Sequence, residues 1–161
     1  MTIRVSTRIV SILILSWNRM SLDATKVEMC TLNHLRKVTR LVGKINDAAL
    51  APVELKSTQF SLLVTIMKCG NIPLSRLAQI LVLERTTLTR NLKPLMVKGY
   101  IEAKTEKDKR VRIISISEEG IKIIELATPL WEAAQLSLVG KLGDKRWSRI
   151  MSDASYLIKH I

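Results

Sequence analysis

The sequence is poor in the residues that build disulfide frameworks, metal sites and most catalytic centres. Its 161 residues include two cysteines, Cys30 and Cys69, and two histidines, His34 and His160. Two cysteines cannot form a disulfide framework, so the fold should not depend on an oxidising compartment. With only two cysteines and two histidines as possible ligands, a structural zinc site is not expected. We therefore expect neither a metal nor another cofactor.

Long apolar runs are also missing. None approaches the roughly 20 residues that a membrane-spanning helix needs, so we expect no membrane partner. Arg4 and Arg8 precede a short apolar run at residues 9–15, which resembles the start of a signal peptide. No small-residue cleavage site follows promptly. We favour an N-terminal extension over residues 1–20 that lies outside the fold, with Met20 as an alternative natural start.

The motifs of common enzyme classes are absent as well. The sequence has no glycine-rich phosphate loop, no nucleophile elbow and no carboxylate pair with a partner base. Cys30 and His34 lie four residues apart and would share a helix face, but no orienting third group accompanies them. We expect that the protein is not an enzyme.

Basic residues, in contrast, are abundant. Lys and Arg number 26 against 14 Asp and Glu, a net charge of +12. Between residues 71 and 116 stand ten basic and four acidic side chains. Such an excess on a globular chain favours a polyanionic partner, nucleic acid first, although a solvated charged surface is the alternative.

Hydrophobic spacing predicts helices over about residues 22–50, 57–69, 73–81, 85–98, 118–140 and 144–161. Side chains suited to cap their N-termini are Ser57 or Thr58, Ser117 and Asp144, and Pro73 suits a first turn. Glycines suited to end helices are Gly70, Gly99 and Gly143. Between the fourth and fifth helices the period changes, and residues 100–103 and 111–116 predict a β-hairpin with a charged connection.

Two short helices joined by a tight turn and followed by a charged hairpin are the order of a winged helix-turn-helix motif. In the second helix of the motif Leu88, Leu92 and Leu95 would face the core. The outer face would then carry Arg85, Thr86, Thr87, Thr89, Arg90 and Lys93. Arginine and threonine at a helix N-terminus can contact bases and phosphates in a major groove. The tip of the hairpin offers Lys104, Lys107, Lys109 and Arg110 to the DNA backbone or a minor groove. A plain amphipathic surface helix is the alternative.

The segments LSRLAQIL, RTTLTRNLKPL, the DKR of residues 108–110 and ISEEG occur in this order between Leu74 and Gly120. Together they closely resemble the winged-helix core of the MarR family of bacterial transcription regulators. The resemblance extends over roughly residues 30–143. It implies a mainly α fold with a small β-hairpin wing, in which a winged helix-turn-helix of about residues 55–117 lies between dimerisation helices of about 22–50 and 118–161.

The resemblance also implies a function. A cytoplasmic, nucleoid-associated homodimer would bind a pseudo-palindromic operator in double-stranded DNA, most often as a repressor that responds to a small-molecule effector. Arg90 and the threonines would contact bases and phosphates, and Lys93 and Lys109 would contact phosphates. Arg110 would enter the minor groove, with Asp108 holding its guanidinium.

Some positions depart from the family pattern or leave alternatives open. Glu84 precedes the recognition helix, where a better capping residue is common, and Asn46 replaces a tyrosine that often faces the effector region. Cys30 is either a redox-sensor thiol or a small residue at a subunit interface, and Cys69 is expected to be structural. Trp131 and Trp147 either line an effector pocket or pack in an interface. A winged-helix module for protein or RNA contacts is the alternative from another functional class.

Overall fold

The computed structural model describes residues 30–105 and 111–161, which form a mainly helical chain with a small sheet. Its elements are α1 (Thr31–Leu50), a 3-10 turn (Ala51–Val53), α2 (Ser57–Cys69), β1 (Ile72–Pro73), α3 (Leu74–Ile80), α4 (Arg85–Val97), β2 (Ile101–Thr105), β3 (Arg112–Ile116), α5 (Glu118–Leu142) and α6 (Asp144–His160). The predicted extension over residues 1–20 and the predicted start of the first helix at Leu22 lie outside the described residues. None of the helices described here is long and apolar enough to cross a membrane.

The chain divides into two compact units, Met1–Val42 and Gly43–Ile161. Within the first, residues 31–42 form the N-terminal part of α1. Four of its large apolar side chains are about half exposed: Leu32, Leu35, Val38 and Leu41. The second unit holds the rest of the chain, including the hydrophobic core.

The core of the second unit is built mainly from aliphatic side chains of α2, α3 and α4. Completely buried members include Leu63 and Ile66 of α2, Leu77 of α3, and Leu88 and Leu95 of α4. Ile101 and Ile114 of the sheet and Ile124 and Ala127 of α5 close the same cluster. Burying a leucine side chain contributes about 1.5–3 kcal/mol, so this cluster fixes the three helices of the motif together.

The sheet has three antiparallel strands in the order β1-β3-β2, one more than the predicted hairpin. Ile101 lies opposite Ile116, and Thr105 lies opposite Arg112. The additional strand is only two residues long and pairs Ile72 with Ile114. Pro73 therefore ends an edge strand immediately before α3, and the prediction that it occupies the first turn of that helix is wrong. Proline suits this edge position because it needs no ladder partner for a backbone N–H.

Two predicted helix caps are wrong. The N-cap of α2 is Lys56, whose backbone N–H donates to Gln59 Oε1 at 2.9 Å. The backbone N–H of Ser57 donates instead to Asp47 Oδ1 at 2.7 Å, so the cap comes from the end of α1. At α6 the N-cap is Gly143, and Asp144 is the first helical residue. Ser117 caps α5 as predicted, since its Oγ accepts the backbone N–H of Gly120 at 3.0 Å.

The helices α3 and α4 both end in a Schellman motif, but with different residues in the left-handed position. After α4, Gly99 has φ +71° and Tyr100 N donates to Leu95 O at 3.0 Å. After α3, Leu83 N donates to Ala78 O at 2.9 Å, and the left-handed residue is Val82 with φ +52°. A β-branched side chain strongly disfavours this conformation, so the turn of the helix-turn-helix is strained.

Replacing Val82 with glycine should stabilise the protein. The left-handed conformation costs an L-residue about 1–2 kcal/mol, which glycine avoids. Glycine loses more chain entropy on folding, however, and this lowers the gain by about 0.5–1 kcal/mol. Little burial is lost, because Val82 is 83% exposed. We expect Val82→Gly to raise the free energy of unfolding by about 0.5–1 kcal/mol in urea denaturation.

The matched control is Gly99→Ala, which places a side chain at the equivalent position of the second motif. A Cβ at residue 99 would meet no atom within 4 Å, so the effect comes from the backbone alone. It should lower the free energy of unfolding by about 1 kcal/mol. A Val82→Gly protein that is less stable than the wild type by about 0.5–1 kcal/mol, the entropic cost of glycine alone, would show that the turn stores no strain.

The Asp47 cap should make stability depend on pH. The backbone N–H of Ser57 is the main cause that holds the pKa of Asp47 below its ordinary value of 3.8. A carboxyl group whose pKa is lowered by folding stabilises the fold at pH values above its ordinary pKa. This stabilisation is lost as the pH falls through the lower pKa of the folded protein. Asp47→Ala should therefore cost about 1 kcal/mol at pH 7, and the difference from wild type should narrow as pH falls from 3.8 through the lower folded pKa.

The control for this effect is Asp47→Asn, whose amide oxygen can still accept the Ser57 N–H. It should retain most of the stability at neutral pH while losing the pH-dependent part. Thermal unfolding of wild type, Asp47→Ala and Asp47→Asn between pH 3 and pH 7 measures both the stability at neutral pH and its dependence on pH. An unchanged gap between wild type and Asp47→Ala across that range would contradict the assigned role of the carboxylate.

Candidate nucleic-acid interface

The orientation of α4 is fixed by three leucines. Leu88, Leu92 and Leu95 are at most 1% exposed and lie along the core-facing side of the helix. The opposite side carries the exposed side chains Arg85, Thr86, Thr89, Arg90 and Lys93. This is the outer face that the sequence predicts, except that Thr87 is half-buried and contributes less to the surface.

The start of α4 presents unpaired backbone N–H groups next to this face. Glu84 is the N-cap, and its side chain makes no capping hydrogen bond. The first N–H groups therefore remain free for an outside acceptor such as a phosphate, which the helix dipole also favours. The Glu84 carboxylate repels phosphate, but it can accept a hydrogen bond from the amino group of cytosine.

The hydroxyl groups of the outer face are not equivalent. Thr89 Oγ1 donates to the backbone carbonyl of Arg85 at 2.8 Å. Its proton is thus engaged within the helix, and Thr89 can offer a partner only an acceptor oxygen and a methyl group. Arg90 and Lys93 make no ion pair with any described residue, so both cations are available for a partner.

The base of the hairpin is held close to the end of α4. Ser117 Oγ donates to Gly99 O at 2.6 Å while accepting from Gly120 N. A Cβ at Gly120 would overlap the carbonyl oxygen of Tyr100, so only glycine allows α5 to approach Tyr100, the residue before β2, this closely. The sequence analysis did not assign this role to Gly120. A glycine in the first turn after a serine cap is a signal that could have indicated a close approach of two backbone segments.

Charged side chains lie on both strands of the hairpin near its tip. Lys104 is exposed and pairs with Glu102 at 3.2 Å, and Arg112 is exposed on β3. Of the predicted tip residues, Lys107, Asp108, Lys109 and Arg110 lie outside the described residues. Their predicted contacts with DNA, and the predicted hold of Asp108 on Arg110, stay predictions.

The two cysteines are both exposed and free. Cys30 immediately precedes α1, and His34 Nδ1 lies 3.2 Å from its backbone carbonyl, not from its thiol. Cys69 ends α2 at the surface, next to Gly70, and its expected structural role stays a prediction. The redox-sensor hypothesis for Cys30 stays a prediction.

A cavity of about 510 Å³ lies within the second unit, between α2, α5 and the end of α1. Trp131 lines it and packs against Phe60, with 5.9 Å between ring centroids. Asn46 lines it too, and accepts a hydrogen bond from Gln135 Nε2 at 3.0 Å. Trp147 is not one of its lining residues. Of the two tryptophans considered for a pocket, the structure thus places one there.

Comparison with known proteins agrees with this arrangement. Residues 55–111, from the start of α2 to the hairpin, match the MarR family. The multiple antibiotic resistance protein MarR of Salmonella typhimurium is 34% identical over 101 residues, which are 58% of this chain and 70% of that protein.

Solved structures extend the likeness to most of the chain. The M. tuberculosis transcriptional regulator MosR in complex with DNA is 34% identical, with a TM-score of 0.72 over 80% of this chain and 92% of its own. A mutant MarR from E. coli in complex with operator DNA has the same fold at 24% identity, with a TM-score of 0.69 over 82% and 94% of the two chains. The winged helix-turn-helix, its basic outer face and these similarities lead to one conclusion: the chain belongs to the MarR family of transcription regulators.

Proposed function

We propose that the protein is a homodimeric, sequence-specific regulator that binds double-stranded DNA, and not an enzyme. The observation that carries the proposal is the division of α4 into a buried leucine face and an exposed face of arginine, threonine and lysine. Such a helix can enter a major groove without losing its place in the core. The complexes of MosR with DNA and of E. coli MarR with operator DNA support the same mode.

In this proposal the exposed residues have different tasks. Arg90 pairs with a guanine edge, while Thr86 and Thr89 contact bases or phosphates near the start of α4, together with Arg85 and the half-buried Thr87. Lys93, one turn further along, neutralises a phosphate. Arg110, positioned by Asp108, enters the minor groove, and Lys109 contacts the backbone.

Two exposed apolar helix faces support the homodimer. On α1 they are the half-exposed leucines and valine of residues 32–41, and on α6 they include Ile150, Met151 and Ile158, the last 77% exposed. Faces of this kind favour a subunit interface. We propose that the helices of about residues 22–50 and 118–161 form it. A twofold dimer would place its recognition helices roughly 34–36 Å apart, or a multiple of this, on a pseudo-palindromic operator.

We also propose that the regulator acts as a repressor on the bacterial nucleoid and is released by a small molecule. The cavity beside α2 supports an effector of this kind, because α2 packs against α5 and also against the recognition helix α4. A bound molecule that shifts α2 would therefore move the support of α4.

Arg90→Ala should weaken operator binding by about 1–3 kcal/mol per half-site and relax base preference at one position. The physical reason is the loss of a bidentate contact to a base. Binding is measured by fluorescence anisotropy with the operator and with single-base variants, after the operator has been selected from genomic fragments that the purified protein retains.

The matched control is Lys93→Ala, on the same face of the same helix. Loss of a phosphate contact should weaken binding to all sequences alike and reduce the slope of log affinity against log salt by about one unit. If Arg90→Ala binds the operator as tightly as wild type at several salt concentrations, α4 is not the recognition helix.

Ile158→Asp should dissociate the homodimer and abolish operator binding. Its side chain is 77% exposed in the single chain, so the substitution costs a monomer little, whereas a carboxylate buried in a subunit interface is strongly unfavourable. Sedimentation analysis measures the oligomeric state. Ser152→Asp, on the opposite side of α6, is the control and should remain dimeric. A dimeric Ile158→Asp would remove α6 from the interface.

A further inference from the structure

Thr89 is restricted in what it can offer to a partner of α4. Its hydroxyl group donates to the backbone carbonyl of Arg85, four residues earlier, at 2.8 Å. A hydroxyl group has one proton, so Thr89 has no hydrogen left to donate to a base or a phosphate. Threonine commonly makes this bond to the preceding turn of its own helix. What remains for a partner is an acceptor oxygen and the methyl group.

The same hydrogen bond decides which part of the side chain faces outward. The oxygen and the methyl group are the two branches on one Cβ, which makes the threonine side chain stiff. Because Thr89 Oγ1 lies against the backbone of its own helix, the methyl group is the branch directed away from that bond. Thr89 is exposed, so an apolar group with a fixed orientation lies on the surface of α4.

The surroundings of Thr89 would bring this methyl group into contact with bases. Leu88 and Leu92 are at most 1% exposed and fix the side of α4 on which Thr89 lies. Arg90 and Lys93 are exposed cations of the same outer face. Cations of this kind hold a recognition helix against the phosphates and base edges of a major groove. The short side chain of Thr89 then meets groups that project from a base into the groove.

One group in the major groove matches a methyl group. Thymine presents its C5 methyl group there, and cytosine lacks it, so this contact separates the two pyrimidines. Contact between two methyl groups removes apolar surface of both from water, which is favourable. Phosphate oxygens and base carbonyls instead need a donor, and the only Thr89 donor is already engaged. The chemistry of this side chain therefore favours thymine.

We propose that Thr89 is a specificity-determining residue that recognises the C5 methyl group of a thymine in each operator half-site. Its hydroxyl group reads no base and serves to hold the methyl group in place through the Arg85 carbonyl. The inference rests on the proposed function as a sequence-specific DNA-binding regulator and names a chemical feature of the operator. The competing partner, an adenine or cytosine amino group bound by Thr89 Oγ1, predicts the opposite behaviour of the variants described next.

The test removes the thymine methyl group and leaves every hydrogen-bonding group of the operator unchanged. Each thymine of the selected operator is replaced in turn, in both half-sites, by deoxyuridine. Fluorescence anisotropy with the full chain measures the affinity for each operator. At one position at least, wild type should lose about fourfold in affinity per half-site, the effect expected for one buried methyl group.

Two substitutions separate the methyl group of Thr89 from its hydroxyl group. Thr89→Val keeps a methyl group in place in its preferred helical rotamer, and it should still bind the deoxyuridine operator more weakly. Thr89→Ser keeps the hydroxyl group, and it should no longer distinguish deoxyuridine from thymine at that position. Serine and valine have helix propensities close to that of threonine, so α4 should form in both variants.

The matched control is Thr86→Ser, which removes the methyl group of another exposed threonine of α4. It should leave the discrimination at the position assigned to Thr89 unchanged. This control separates a contact of Thr89 from a general effect of removing a methyl group from the helix surface.

Equal binding of the thymine operator and of every deoxyuridine operator by wild type would overturn the proposal. So would a Thr89→Ser protein that still discriminates, or a Thr89→Val protein that no longer does, since the hydroxyl group would then be the recognised part. Binding of wild type to the operator and to unrelated DNA is compared on the same preparations. If wild type binds the operator specifically but fails the deoxyuridine test, only this inference falls, whereas failure to bind any DNA specifically removes the proposed function.

Discussion

The burial of one face of α4 is the constraint on which the rest of the interface depends. Leu88, Leu92 and Leu95 leave the helix no freedom to turn about its axis, since a rotation by one residue would expose leucines and bury Lys93. Such an exchange would cost several kcal/mol, from lost apolar burial and from an unpaired charge moved out of water. The direction in which the cationic face points is therefore a consequence of core packing.

A second constraint joins the hairpin to this helix. Ser117 contacts Gly99 just beyond the end of α4, and Gly120 lets α5 lie directly against Tyr100. The hairpin base, the C-terminus of α4 and the start of α5 thus meet at one tightly packed junction. Packed interiors respond to added volume by shifting as units, so these elements should move together.

Local patterns explain why much of the fold was predictable. The leucine spacing of α4 and the serine before α5 act within one or two turns of helix, and the structure confirms both. The basic outer face followed from the same spacing, because residues three and four apart share a helix side. The sequence also carried the family resemblance, which comparison with known proteins confirms.

What the sequence alone determined was the type and order of the helices and the outward face of α4, because helix periodicity is a property of neighbouring residues. Only the tertiary structure decided which groups meet across the chain. Asp47 caps α2 from ten residues away, Ile72 pairs with Ile114, and Gln135 reaches Asn46 across 89 positions. These contacts depend on how helices pack, and no local pattern encodes a partner that distant in the chain. The uncharged cavity also results from this packing, since its lining residues come together only when α2 and α5 fold against each other.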